Sequence, residues 1–204
     1  MKKKKSSVAP EIAVNPHVPE EEVTRTLAAR VQQERKRRNW TIQDLADRSG
    51  ISRAMISKIE RCESSPTAVV LGRLSGAFGL SMSELLLSAD SSEKRLSRRA
   101  EQQIWKDPAT GYTRRAISPR AGMPLQLVEV CLPARTKVDF PAVSYSALHQ
   151  QIWLLEGKLT FHEGSDRHEL NPGDCLQLAG AQDCAFENVS RSACRYVVAL
   201  IVGK

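Results

Sequence analysis

No run among the 204 residues approaches the ~18 apolar positions that a membrane-spanning helix needs. Lys2 to Lys5 imitates the start of a secretion signal, but the following SSVAPEIAVNP has no apolar core. The five cysteines (Cys62, Cys131, Cys175, Cys184 and Cys194) are an odd number with no CxxC pair. That argues against a disulfide framework and against a zinc ribbon. Reduced thiols fit a cytoplasmic protein, with no membrane partner. There is also no Ser/His/Asp set and no pair of carboxylates placed for acid–base work, so no catalytic residues are assigned.

Acidic residues are short at the front. Residues 1–87 hold 15 basic and 10 acidic side chains, residues 88–120 hold 8 and 4, and residues 121–204 hold 7 and 9. A polyanion partner is therefore expected at the front half and not at the rear. Residues 1–22, with four lysines and three prolines, read as a disordered basic arm. Residues 88–103, SADSSEKRLSRRAEQQ, read as a linker or connecting helix.

Between them the chain is helical. Thr24 to Arg38 reads as a first helix with Leu27 and Val31 inward. Thr41 is a good N-cap for a second, which Gly50 ends in a left-handed turn. Ser52 caps a third, whose Met55, Ile56 and Ile59 make a half-buried stripe. Thr67 caps a fourth with Val70, Leu71, Leu74, Ala77 and Phe78 inward, and Ser81 a short fifth. On the third helix, Arg53, Ser57, Lys58 and Arg61 fall largely outside the stripe. Cations and a hydroxyl on an exposed helix face suit a phosphate-lined major groove.

These words, LADRSGISRAMISKIER, ESSPT and LGRLSGAFGLSMSELL, make residues 24–87 resemble the Xre/Cro/phage-repressor helix-turn-helix family. The resemblance implies a five-helix, lambda-repressor-like domain over residues 23–87 whose third helix reads double-stranded DNA. Ser52 should meet a phosphate through the helix N-terminus. Arg53 should pair with guanine, and Ala54 with a thymine methyl. Ser57 and Lys58 face the groove or its rim, and Arg38 and Arg61 reach phosphates. Thr41 and Gln43 complete the DNA-binding set. Two departures stand out. The family's glutamine slot after the capping threonine holds Ile42, with Gln43 one place later. Cys62 stands where the family has Gly or Asn, so a left-handed Cys62 would carry strain.

From Ile104 the period changes to short β-rich runs, at 114–117, 125–130, 152–155, 158–161, 174–178 and 196–202. About eight strands between Pro and Gly turns indicate an all-β sandwich or barrel. WLLEGKLTF at 153–161, LNPGDCLQLAG at 170–180, FEN at 186–188 and WKDPATGYTRRAISP at 105–119 resemble the cupin jelly roll, over residues 104–204. The whole chain then resembles the Xre–cupin group of bacterial transcription regulators, a multidomain protein of one α and one all-β part.

Metal-binding cupins use two histidines and a glutamate from the first motif and one histidine from the second. Their positions here fall at Gln150, near Ser144 and Ser146 (or Val143 and Tyr145), and at Cys184. None is a family ligand type, so no metal and no cofactor are expected, and His149 should point to the other face. The emptied barrel is expected to take a small-molecule effector among Ser146, Gln150, Ile152, Leu154, Leu176, Leu178, Cys184 and Phe186. The bland reading is a filled barrel that only dimerises. Other readings are a thiol sensor at Cys184 activated by Arg115 or Arg135, and an antitoxin-like scaffold. The competing class is a metal-dependent cupin isomerase or oxygenase with an appended DNA-binding domain. A homodimer on a palindromic operator is expected, joined through outward strand residues such as Trp153 or Val198.

Overall fold

The computed structural model describes residues 20–86, 94–119, 123–146 and 148–203. Among the described residues five α-helices come first: α1 (Glu20–Arg37), α2 (Ile42–Ser49), α3 (Arg53–Glu60), α4 (Ala68–Phe78) and α5 (Met82–Leu86). The capping chemistry sets their ends. Thr41 accepts a hydrogen bond from the Asp44 amide while the Asp44 carboxylate accepts from the Thr41 amide, a reciprocal box. Gly50 closes α2 at φ 66° and donates to the Ala46 carbonyl. Ser52 and Thr67 accept from the amides of Met55 and Val70, and Gly79 ends α4 at φ 68°.

The first helix begins earlier than expected. Residues 20–22, assigned to the basic arm, form its first turn. Glutamates there suit the positive end of the helix dipole. The rest of that arm, residues 1–19, lies outside the described residues, as do 88–93 of the linker. From 94 onward the linker holds one 3-10 turn, Arg99–Glu101, and no longer helix.

Ten strands follow: β1 (Ile104–Lys106), β2 (Thr113–Ala116), β3 (Leu125–Leu132), β4 (Thr136–Phe140), β5 (Leu148–Glu156), β6 (Leu159–Glu163), β7 (Asp166–Leu170), β8 (Cys175–Gln177), β9 (Cys184–Asn188) and β10 (Cys194–Val202). They form two antiparallel sheets, ordered β1-β2-β3-β10-β5-β8 and β4-β9-β6-β7. This is the all-β sandwich that the turn spacing suggested, with the two-sheet arrangement of the jelly roll that the resemblance implied. The inner face of β10 carries Tyr196, Val198 and Leu200, all buried. Val198, expected on the outer surface, therefore faces the core. Its neighbours Val197 and Ala199 are the half-exposed ones.

The two parts share one continuous apolar cluster, running from Val23 and Leu71 to Phe140 and Tyr196. Helix α4 is the hinge of this packing. Its Gly72 and Gly76 let the backbone approach the Ala142–Tyr145 3-10 turn. A methyl at Gly76 would stand 2.0 Å from the Val143 carbonyl oxygen. Polar contacts pin the same seam. The Ala68 amide donates to Asp107 Oδ1 at 3.2 Å. Ser81 Oγ donates to Gln126 Oε1 at 2.6 Å, and Gln103 Nε2 donates to the Leu86 carbonyl at 2.9 Å.

Candidate nucleic-acid interface and barrel interior

Helix α3 buries Ile56 and Ile59 and presents Arg53, Ala54 and Lys58 to solvent, with Ser57 half-buried. Ser52 is exposed and caps the helix. Its orientation is held from both ends. The Arg35 guanidinium grips Glu60 in a two-pronged ion pair, 2.7 Å on each arm, tying α3 to α1. Arg73 Nη1 donates to the Gly50 carbonyl at 2.9 Å, tying α4 to the turn.

Not every basic candidate is free. Arg38 is a correction to the expected phosphate contacts. Its guanidinium donates to the Phe78 carbonyl at 2.6 Å, pairs with the Glu34 carboxylate, and lies over the Trp40 and Phe78 rings. It closes α4 rather than reaching outward. Arg61 is exposed, but it pairs in two-pronged fashion with Glu63 at 2.6 and 2.8 Å and donates to Ser57 Oγ. Thr41 is spent on its cap, and Gln43 donates to Asp47 at 2.7 Å. The side chains left to face a groove are Ser52, Arg53, Ala54 and Lys58, with Ser57 at their edge. Cys62, after α3, is left-handed at φ 60°, the strain the sequence suggested.

In the barrel, period-2 counting along β5 holds: Gln150, Ile152 and Leu154 are buried while His149 is exposed. The lining differs from an open, apolar pocket. Ile152 and Leu154 are fully packed, Leu178 is buried, and Leu176 is half-buried against the core. Phe186 stacks on Tyr196 at 5.5 Å and meets Phe140 and Phe161 edge-on. Ser146 is exposed, its Oγ donating to the Val143 carbonyl, so the buried hydroxyl is Ser144. Cys184 and Phe140 reach the floor of a 470 Å³ cleft between α4 and the smaller sheet, rimmed by Arg73, Lys137, Asp139, His162 and Asp183.

The donor set does not fit a transition metal. Burial pushes the Cys184 thiol up to about 12, with a Tyr145 hydroxyl as its hydrogen-bond partner. A protonated thiol is a poor ligand and a poor nucleophile. Gln150 offers a neutral amide whose Nε2 is buried without a partner. Among the described residues no three His, Cys, Asp or Glu side chains converge. The arginines invoked for a reactive Cys184 are elsewhere. Arg115 pairs with Glu129 at 3.1 Å on the outer face of the larger sheet, and Arg135 is exposed in the turn after β3.

Sequence reasoning passed over Arg114. It stands on β2 opposite Trp105 and Val130, with Tyr196 beyond them on β10, all buried. Arg114 Nη1 donates to the Tyr112 hydroxyl at 2.7 Å, while its Nε has no partner. Burial works against its charge, but the phenol oxygens of Tyr112, Tyr145 and Tyr196 hold it protonated. Burial likewise keeps the Tyr145 and Tyr196 phenols neutral, far above their ordinary range. Adjacent arginines in TRRA were the available signal, because alternation turns one of them inward.

A helix-turn-helix family model matches residues 31–85. The HTH-type transcriptional regulator SutR of Escherichia coli (strain K12) is 33% identical over 72 residues, which is 35% of this chain and 40% of that protein. A solved HTH_3 family transcriptional regulator from Vibrio cholerae superposes with a TM-score of 0.74 at 21% identity, over 91% of this chain and all of that one. The cupin domain of an XRE family regulator from Enterobacter cloacae matches 46% of this chain and 98% of its own, at 14% identity and a TM-score of 0.41. Residues 31–85 are thus similar to a helix-turn-helix family, and a two-sheet antiparallel β-domain follows them. The family match spans α2 and α3 whole, so α3 and its Ser52 cap lie inside it. The match covers less than half the length of the curated relative. No described helix is long and apolar enough to cross a membrane.

Proposed function

We propose that this chain is a cytoplasmic transcriptional regulator that binds duplex DNA as a homodimer and takes a small-molecule signal in its barrel. The observation that carries the reading is the bare face of α3, where Arg53, Ala54 and Lys58 stand exposed beside the Ser52 cap while neighbouring cations are paired off. The Ser52 end offers free amides and a dipole to one phosphate. Arg53 then reads a guanine through its planar fork, and Lys58 sits on the backbone.

One such helix reads only a few base pairs, so two copies are needed on half-sites about 34–36 Å apart. The outer face of the larger sheet supplies the join. Trp153, Leu125 and Ile201 are exposed there, 40–51% accessible, around half-buried Val197 and Ala199. A contiguous apolar face of this kind favours a self-complementary contact.

Substituting Arg53 and Lys58 tests the assignment. Arg53→Ala should cost roughly 1–3 kcal/mol on the cognate site and relax one base position. Lys58→Ala should weaken all sequences alike and flatten the salt dependence by about one counterion. Equal loss on cognate and random DNA for Arg53→Ala would make it a backbone contact. The enzyme alternative, a metal-dependent isomerase or oxygenase, meets the misfit of the barrel's donor set described above.

A further inference from the structure

The barrel holds a buried cation set among phenol side chains: the Tyr112 hydroxyl accepts from its Nη1, and Tyr145 and Tyr196 stand nearby. Arg114 is 8% exposed, and among the described residues no carboxylate lies within ion-pair distance of it. Its Nε and the Tyr196 hydroxyl are both buried without a partner. Two such orphans near one another are rare in a finished core, because each forfeits its hydration. By contrast the next residue, Arg115, has its Glu129. The cation at Arg114 has nothing of that kind, and it borders a cavity of about 10 Å³ walled by Ser83 and Leu86 of α5 and by Gln103 and Trp105. That space holds about one water.

From this arrangement we propose that Arg114, with the hydroxyls of Tyr112, Tyr145 and Tyr196, is an internal recognition site for a small oxyanion, the charged group of the effector. The proposal rests on the effector reading above and names its chemical class: a carboxylate, sulfate or phosphate group. A guanidinium fork pairs two oxygens of such a group, and phenol hydroxyls add hydrogen-bond donors. A neutral or cationic effector would leave the cation uncompensated.

The site also lies on the seam between the reading head and the barrel. An oxyanion is larger than the present cavity, so it enters only if α5, which walls that space, yields, and it reaches the Tyr145 hydroxyl only if the Ala142–Tyr145 turn yields too. That turn carries Tyr145 and abuts α4 at Gly72 and Gly76. Closed and opened arrangements then differ in anion affinity, and that difference lets a ligand bias the reading head.

The test uses the full chain with sodium acetate, sulfate and phosphate as probes, against sodium chloride at equal ionic strength. At saturation at least one oxyanion should raise the wild-type Tm by roughly 5–10 °C. Arg114→Met should abolish that specific shift. Tyr196→Phe keeps the ring stack on Phe186 and loses only an unpaired hydroxyl, so it should fold and weaken the anion roughly tenfold. Non-specific salting stabilises all three proteins alike. Equal shifts in wild type and Tyr196→Phe, or none beyond chloride, would overturn the site. An anion that binds through Arg114 yet leaves DNA retardation unchanged would keep the site and remove the effector role instead.

Discussion

Replacing Gly76 by alanine tests whether the helical part is docked on the barrel, because the sign of the effect depends on that docking. Alanine is worth about 1 kcal/mol over glycine inside a helix that touches nothing. Here the added methyl would meet the Val143 carbonyl oxygen at 2.0 Å and its carbon at 2.6 Å. The obstacle is backbone, so no side chain can rotate away. Overpacking of this kind costs typically 1–3 kcal/mol, and so short a contact belongs at the upper end. After the helical gain is subtracted, the loss is about 1–2 kcal/mol. For a chain of this size that lowers Tm by roughly 2–8 °C in a thermal melt of the intact protein. A rise of roughly 2–4 °C would be the signature of a helix free of the 3-10 turn, and would refute the shared core together with any signal passed across it.

The strained turn after α3 gives a second outcome: Cys62→Gly should stabilise the protein by roughly 0.5–1 kcal/mol in urea unfolding, since only the side chain resists φ 60°. Glu34 gives a pH signature. It is buried, and although burial raises its carboxyl pKa, the hydrogen bond from Arg38 and the charges of Arg30 and Arg37 outweigh that and hold it below the usual 4.5. A folded pKa below the unfolded one means the stabilisation is present above about pH 4.5 and is lost as pH falls through the depressed value. Glu34→Gln should therefore cost at the low end of roughly 3–5 kcal/mol near neutral pH. Its deficit against wild type should shrink in melts below pH 4.5, and a deficit constant with pH would discount the ion pairs.

How much of this was legible in the sequence depended on whether the signal was local. Thr41, Ser52, Thr67, Gly50 and Gly79 each act on their own helix end, and all five behave as read. The start of α1 was missed because prolines before it outweighed the three glutamates that favour a helix N-terminus. Strands β4 and β7 were missed because TKVDF and DRHEL carry few apolar residues. Their pairing with β9 and β6 is what makes them strands. The barrel interior was half legible. Alternation says that one of Arg114 and Arg115 points inward, and one of Val197 and Val198. Which one is decided by the register of β2 and β10 on β3, a tertiary fact. Arg38 has a partner four residues back, Glu34, that the sequence could show, but the Phe78 carbonyl that turns it inward is 40 residues away.

Everything proposed for the helical part requires that α3 grip duplex DNA at chosen sequences. Selection of retarded fragments from a genomic digest at low salt, using the intact protein, tests it most directly. The expected result is a discrete set of fragments sharing a two-fold symmetric sequence, with half-sites one helical turn apart and binding that weakens steeply as salt rises. Retardation of no fragment, or equal retardation of all of them by wild type and Arg53→Ala, would contradict it.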